Sequence, residues 1–202
     1  MKNREPLIQI LCKAPVLGKV KTRLIQEMGK RRALDLYLQM FERLMAELSA
    51  SRFKTELWIS PDKDHAFFEP YAFARFQQAG LDLGGRMSTA LRDGLNRHES
   101  VILVGTDLPL INRSYIEQAV SALKTHDVVL GPAEDGGYGL VGVNAKTPDM
   151  FSDIDWGTER VLSQTCARLN RDQLDFGLLP LIWDVDRPAD LRRYEAWLGR
   201  GV

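Results

Sequence analysis

The chain has 202 residues, enough to bury a full hydrophobic core, and we expect a single domain over residues 1–202. Hydrophobic residues make up 45% and charged residues 27%, a composition that excludes an intrinsically disordered protein. Basic and acidic residues number 27 each, so the net charge gives no reason to expect a nucleic-acid or membrane partner. No apolar run approaches the roughly 20 residues that span a bilayer, and Lys13 interrupts the only apolar stretch near the N-terminus. We therefore expect a cytoplasmic protein.

Hydrophobic periodicity predicts strands that alternate with helices. Asn112 is expected to cap one helix, and Pro188 suits the first turn of another. Residues 64–78 are rich in aromatic side chains and are left unassigned. In chain order the predicted elements are a strand at 7–12, a helix at 33–48, a strand at 56–60, a glycine-rich loop at 80–86 leading into a helix, a strand at 101–105, a helix after Asn112, strands at 128–131 and 138–143, a helix at 159–169, a strand at 181–185 and a helix at 188–198.

This alternation predicts a mostly parallel sheet covered by helices on both faces. Such sheets bind their ligands outside the carboxyl ends of the strands. The segments that follow the predicted strands are therefore where functional residues are expected.

The loop after the first predicted strand carries four cations, Lys13, Lys19, Lys21 and Arg23. Gly18 allows the backbone to approach a phosphate closely, and a guanidinium can bind phosphate oxygens in a bidentate manner. The loop matches neither the P-loop nor the G-x-G-x-x-G pattern. We predict a polyphosphate-binding loop, with a solvated basic loop as the alternative.

Thr106 and Asp107 follow the strand at 101–105. A carboxylate at the tip of a strand is suited to Mg²⁺ or Mn²⁺, because these cations prefer oxygen ligands and are often shared with phosphates. Asp184 and Asp186 are two positions apart at the end of the strand predicted at 181–185, so they project to the same face. Asp186, at the end of this strand, is the expected second metal ligand. The alternative for Asp107 is a residue that caps the following turn.

A second glycine-rich turn, Glu134 to Tyr138, separates the strands at 128–131 and 138–143. Gly136 and Gly137 allow a close approach to a ligand. Three roles for Glu134 and Asp135 fit the pattern: binding sugar hydroxyls, activating an acceptor, or assisting a metal. Because the basic loop and Asp107 already serve phosphates, we predict that this turn faces the acceptor or sugar. A hairpin with solvated acids is the alternative.

Six segments in order along the chain carry a resemblance to a known family. Together they resemble small bacterial glycosyltransferase-like proteins, sometimes associated with arsenosugar biosynthesis. That family is similar to the phospholactate and molybdenum-cofactor guanylyltransferases, which have the GT-A nucleotide-diphospho-sugar transferase fold. The segments are K-A-P-x-x-G-x-V-K-T-R-L at 13–24, G-L-D-L-G-x-R-M at 80–87 with an added Gly85, G-T-D-L-P at 105–109, G-P-A-E-D-G-G-Y at 131–138, W-G-T-E-x-V-L at 156–162 and D-V-D-R-P-A-D-L at 184–191.

The resemblance spans residues 7–191 and implies a three-layer α/β/α sandwich with a Rossmann-like sheet that binds a nucleotide over its carboxyl edge. It implies that Asp107 and Asp186 bind Mg²⁺ or Mn²⁺ and that the loop at 13–23 holds the phosphates. The expected catalytic residues are Asp107, Glu134 and Asp135. The expected nucleotide-binding residues are Lys13, Gly18, Lys21, Thr22, Arg23, Arg86, Thr106, Gly136 and Gly137.

Two reactions fit these residues, each with a nucleotide or nucleotide-sugar donor and a small-molecule acceptor. Glycosyl transfer from a nucleotide sugar is slightly favoured, although the adjacent D-x-D pair of many such enzymes is missing, since Leu108 and Pro109 follow Asp107. Nucleotidyl transfer with release of pyrophosphate is supported by the basic loop, which lacks the fuller glycine-rich signature of sugar nucleotidyltransferases. A non-catalytic nucleotide-binding module is a third hypothesis. The base, the sugar, the acceptor and the oligomeric state are left open.

Overall fold

A computed structural model describes residues 2–144 and 149–199. In these two ranges the chain forms seven strands and five α-helices. The strands are β1 (Leu7–Lys13), β2 (Lys54–Ser60), β3 (Ala74–Gln77), β4 (Ser100–Gly105), β5 (Val128–Pro132), β6 (Tyr138–Asn144) and β7 (Phe176–Leu178). The helices are α1 (Ile25–Ser49), α2 (Leu83–Arg97), α3 (Arg113–Ala122), α4 (Val161–Arg171) and α5 (Pro188–Leu198).

The strands form one sheet in the order β3-β2-β1-β4-β6-β5-β7. Every neighbouring pair is parallel except those that involve β6, which runs antiparallel to both β4 and β5. The carboxyl ends of the six parallel strands therefore meet at one edge, and the turn between β5 and β6 lies at the same edge.

Helices cover both faces of the sheet because successive strand residues point to opposite sides. Ile8 of β1 belongs to a buried cluster that includes Phe41 of α1 and residues of α3. Its neighbour Leu7 belongs to a second cluster, with Leu91 of α2 and Leu169 of α4. The predicted three-layer α/β/α sandwich with a mostly parallel sheet is confirmed.

Local signals placed several helix boundaries correctly. The Asn112 side chain accepts a hydrogen bond from Tyr115 N at 2.9 Å, as expected of a helix cap. Pro188 occupies the first turn of α5. The loop predicted at 80–86 is shorter than expected, because Asp82 caps α2 through Gly85 N at 2.7 Å and the helix begins at Leu83.

The aromatic segment at 64–78, unassigned from sequence, ends in the edge strand β3. Phe76 of β3 stacks on Trp58 of β2 with ring centroids 5.1 Å apart. This strand is only four residues long, too short for an alternation of apolar and polar residues to indicate it in the sequence.

The prediction of a strand at 181–185 is wrong, because this segment does not pair along its length with a neighbouring strand. Only Ile182 forms a β-bridge, with Ala133, while β7 takes the place beside β5. The segment nevertheless runs along the carboxyl edge of the sheet, since Ile182 N donates to Pro132 O at 2.9 Å and Val185 N donates to Asp107 O at 3.0 Å. Asp184 and Asp186 therefore arrive beside the end of β4.

In the described ranges no helix combines the length and the apolar character needed to cross a bilayer.

Candidate active site

A cavity of about 560 Å³ lies over the carboxyl edge of the sheet. The structure brings together at this cavity ten of the residues predicted from sequence. They are Lys13, Lys21, Thr22, Arg23, Arg86, Thr106, Asp107, Asp135, Gly137 and Asp186. Gly18 lies elsewhere in the basic loop, while Glu134 and Gly136 line an adjoining recess of about 630 Å³.

The basic loop presents its cations in two different ways. Lys13 is exposed and lines the cavity at the end of β1. Lys21, in contrast, has a left-handed backbone conformation with φ 48° and ψ 41°, and its side chain is only 2% exposed. Buried Val20 and Leu24 anchor the backbone on either side of it. Lys21 is therefore held in place by its surroundings, while Lys19 and Arg23 of the same loop are exposed.

The buried ammonium of Lys21 joins two segments that are distant in sequence. Its Nζ lies 2.8 Å from Asp107 Oδ1 and donates to Val185 O at 2.7 Å. The Asp107 side chain is 45% exposed, so the carboxylate also faces the cavity that it lines. Lys21 thus connects the tip of β4 to the segment that carries Asp184 and Asp186.

Arg23 forms an ion pair with Asp186 at the surface of the cavity. The Arg23 side chain is 65% exposed and the Asp186 side chain 27%. The hydrogen bond and charge of Asp186 raise the pKa of Arg23. Exposed ion pairs contribute little stability, so this guanidinium can exchange its partner at little cost.

Both carboxylates predicted as metal ligands thus have a cation from the basic loop as a partner. Within residues 2–144 and 149–199 no group of three or more His, Cys, Asp and Glu side chains is arranged to hold a metal. Mg²⁺ is commonly bound by one or two carboxylates together with substrate phosphates. Asp107 and Asp186 therefore fit a divalent cation if phosphate oxygens complete its coordination.

The turn between β5 and β6 holds Asp135 in the cavity. Asp135 Oδ1 accepts a hydrogen bond from Gly137 N at 2.9 Å, and the side chain is exposed. Gly136 has φ +86°, and a Cβ atom there would lie 2.2 Å from Glu159 O. Only glycine fits this position, because the turn packs directly against the segment that precedes α4.

Glu134, predicted as catalytic, points away from the main cavity. Its carboxylate forms two hydrogen bonds with the guanidinium of Arg193, at 2.6 and 2.9 Å, which lower the pKa of Glu134. Arg193 also lies over the ring of Trp183, 4.3 Å from its centroid. The arrangement ties the turn to α5, so Glu134 is held in the adjoining recess.

Asp184 is a site residue that the sequence prediction left out of its catalytic set. It lines both the cavity and the recess. Burial, together with the charges of Asp135 and Asp186, raises the pKa of Asp184 to about 6. The alternation of Asp184 and Asp186 was the available signal, although it did not reveal which of them would be buried.

Gln78 lies at the end of the cavity near β2 and β3. Its Nε2 donates to Cys12 O and to Trp58 O, each at 2.8 Å. Both amide hydrogens are therefore committed to the backbone, and Oε1 is left as an acceptor. The segment was unassigned from sequence, so nothing indicated that Gln78 would reach the cavity.

Trp156 also lines the cavity. Its indole packs against Gly84 in the first turn of α2, where a Cβ atom would lie 2.8 Å from the ring. Tyr138 meets the indole edge to face, with ring centroids 6.4 Å apart. The W-G-T-E segment was recognised as a motif, but only the fold places its tryptophan in the cavity wall.

The cavity is chemically graded along the edge of the sheet. The strand order places Gln78, which follows β3, on one side of the basic loop after β1, and the turn that carries Asp135 on the other side. A ligand with a polar planar group, phosphates and hydroxyl groups in sequence matches this order.

These features define a protein of the nucleotide-diphospho-sugar transferase fold class. A structure from Desulfovibrio desulfuricans G20, described as that of a nucleotide-diphospho-sugar transferase, has a TM-score of 0.85 and 28% sequence identity over 98% of each chain. The 4-diphosphocytidyl-2C-methyl-D-erythritol synthase of Anaerococcus prevotii DSM 20548 has a TM-score of 0.65 over 96% of each chain. Its sequence identity is 14%, so that likeness concerns the fold alone.

The chain belongs to the family described as an uncharacterized protein conserved in bacteria (DUF2064), whose profile matches residues 44–158. It is also similar to the 3-phospho-D-glycerate guanylyltransferase of Phenylobacterium zucineum (strain HLK1), with 32% identity over 120 residues. That match covers 55% of this chain and about half, 51%, of the relative.

Proposed function

We propose that this protein is a nucleotidyltransferase: a phosphorylated small molecule attacks the α-phosphorus of a nucleoside triphosphate, and pyrophosphate leaves. The observation that carries the proposal is the convergence on one cavity of Lys13 and Arg23 from the basic loop and Arg86 from α2. A departing pyrophosphate concentrates negative charge, and positioned cations stabilise such charge in the transition state. The guanylyltransferase relative supports the same reaction class.

The donor phosphates lie across the middle of the cavity in this proposal. Arg23 is suited to bidentate binding of phosphate oxygens once it leaves Asp186. Lys13 and Arg86 supply further charge, and neither forms an ion pair with another residue in the described ranges. The base lies toward Gln78, where the cavity offers a fixed acceptor.

The acceptor lies toward Asp135, Asp184 and Trp156. Carboxylates there can orient hydroxyl groups or take up a proton, and the indole provides a flat apolar surface. The raised pKa of Asp184, about 6, suits this carboxyl to exchange a proton near neutral pH. Glu134, held by Arg193, has no direct part in this mechanism.

A divalent cation, Mg²⁺ or Mn²⁺, is part of the proposal, with Asp107 and Asp186 as its protein ligands. When bound, it would neutralise charge on the phosphate oxygens. The protein's own groups bind and orient the two substrates, as described above.

Glycosyl transfer, the reaction slightly favoured by sequence, is the second candidate. The structure from Desulfovibrio desulfuricans G20, described as that of a nucleotide-diphospho-sugar transferase, supports it through the likeness over the whole chain. The same cations would then bind the diphosphate of a nucleotide sugar. The link to arsenosugar biosynthesis, the cytoplasmic location and the absence of nucleic-acid and membrane partners stay predictions.

A ligand panel separates the hypotheses. Thermal shift with the four nucleoside triphosphates and with nucleotide sugars, with and without Mg²⁺ or Mn²⁺, identifies the donor. Pyrophosphate release is then measured with GTP and 3-phospho-D-glycerate, the substrates suggested by the relative's name, and with other phosphorylated acids and sugars. Pyrophosphate formed only when an acceptor is present supports nucleotidyl transfer. Stabilisation by nucleotide sugars alone favours glycosyl transfer, and binding without turnover favours the non-catalytic module.

A further inference from the structure

Lys21 has a different environment from the other cations of the basic loop. Its side chain is 2% exposed, and its ammonium is already bound to Asp107 Oδ1 and to the carbonyl oxygen of Val185. Buried Val20 and Leu24 flank it and limit how far the backbone can move. The positive charge of Lys21 is therefore already paired with Asp107 in the wall of the cavity that both residues line.

We propose that Lys21 is the resident counter-ion of Asp107, so that Asp107 binds a divalent cation only when the cation arrives together with nucleotide phosphates. Lys21 is thus a positioning residue and a gate against free metal. The role of the nucleotide rests on the proposed function above, whereas the exclusion of free metal does not.

Charge balance gives the physical reason. A divalent cation on Asp107 would lie within a few ångströms of a buried ammonium, where poor solvation strengthens the repulsion. Asp107 is already paired with Lys21 and Asp186 with Arg23, so without nucleotide neither carboxylate has its full charge available to offset that repulsion. The phosphates of a nucleoside triphosphate bring several negative charges to the same place, and the metal can then be held between them and Asp107.

The Arg23–Asp186 pair provides the contrast. Arg23 is 65% exposed, and its pair with Asp186 can be broken by an incoming phosphate. Lys21 has no comparable freedom, because leaving Asp107 would also strip a hydrogen bond from buried Val185 O. We therefore expect Arg23 to change partner on nucleotide binding and Lys21 to stay.

Mn²⁺ binding followed by electron paramagnetic resonance tests the proposal without requiring turnover. The nucleotide-free parent protein should show no Mn²⁺ site that depends on Asp107, and adding a non-hydrolysable triphosphate analogue should create one. Lys21→Met removes the charge while keeping a chain of similar length. It should bind Mn²⁺ without nucleotide at least about tenfold more tightly than the parent, and adding Asp107→Asn should abolish the gain.

Lys19→Met is the matched control, because Lys19 is an exposed lysine of the same loop. It should leave nucleotide-free Mn²⁺ binding as in the parent. A gain equal to that of Lys21→Met would mean that only the general charge of the loop matters, which would overturn the proposal. Equal or weaker Mn²⁺ binding by folded Lys21→Met would overturn it as well.

If Lys21→Met does not fold, Mn²⁺ binding to the parent protein still tests the proposal. A nucleotide-free Mn²⁺ site in the parent that Asp107→Asn removes contradicts the proposal, and a site that needs both the analogue and Asp107 supports it. If no nucleotide binds in the ligand panel, the proposed function fails. The nucleotide-free titrations of parent and Lys21→Met still decide whether Lys21 excludes the metal.

Discussion

Gly136→Ala tests whether the turn between β5 and β6 is held against the segment before α4. The glycine has φ +86°, and an added Cβ atom would lie 2.2 Å from the carbonyl oxygen of Glu159 and 2.6 Å from its Cα atom. These neighbours are backbone atoms, so the contact cannot be relieved by a side-chain rotation. Two costs are expected, one from the left-handed conformation and one from the clash.

Gly157→Ala separates the two costs. Gly157 has φ +79°, but nothing lies within 4 Å of its added Cβ atom. A left-handed conformation costs a non-glycine residue about 1–2 kcal/mol, and both variants carry this cost. Overpacking against a rigid neighbour typically costs about 1–3 kcal/mol more, and only Gly136→Ala carries it.

Gly136→Ala should therefore be less stable than Gly157→Ala by about 2 kcal/mol. For a protein of this size 1 kcal/mol corresponds to about 2–4 °C, so its Tm should be about 4–8 °C lower than that of Gly157→Ala. Differential scanning calorimetry of the two variants beside the parent measures this difference. Equal Tm values for the two variants would refute the packing argument.

Three further predictions concern the cavity and the thiols. Arg23→Ala should weaken triphosphate binding by about ten- to a hundredfold, with little effect on a nucleoside; titration calorimetry across nucleoside, mono-, di- and triphosphate measures this, and an equal loss for the nucleoside, or the same loss in Lys19→Ala, would contradict it. Asp135→Asn should raise the acceptor KM or lower kcat while donor affinity is unchanged. Weaker donor binding in direct titrations would contradict the placement of Asp135 on the acceptor side of the cavity. Burial raises the pKa of the thiols of Cys12 and Cys166, and Cys12 is only 2% exposed. A thiol reagent should therefore label the native protein at Cys166 and reach Cys12 only on unfolding. Rapid labelling of both thiols in the native protein would disprove this.

Short-range patterns predicted much of the fold. The cap at Asn112 and the proline at Pro188 act within one helical turn, so their sequence neighbours contain the necessary information. The apolar runs of β1, β4 and β5 are long enough to indicate buried strands. Lys13, Asp107 and Asp135 each follow a predicted strand. Because ligands bind at the carboxyl ends of such strands, these residues could be predicted to lie at the binding site.

The segment at 181–185 shows where this reasoning fails. Its alternation is that of a strand, but a strand requires a partner, and partner choice is a property of the whole sheet. Phe176–Leu178 pairs with β5 instead, and Ile182 keeps a single bridge to Ala133. The predicted consequence still holds in part, because Asp184 and Asp186 both line the cavity.

The amino-acid sequence by itself determined the alternation of strands and helices, the basic loop and the set of carboxylates at the carboxyl edge, because each depends on neighbouring residues. Only the tertiary structure decided which charges meet. Lys21 and Asp107 are 86 positions apart, and Glu134 and Arg193 are 59 apart. An ion pair depends on distance and burial in three dimensions, so residue type and spacing did not reveal that Lys21 is buried against Asp107 or that Glu134 faces away from the cavity.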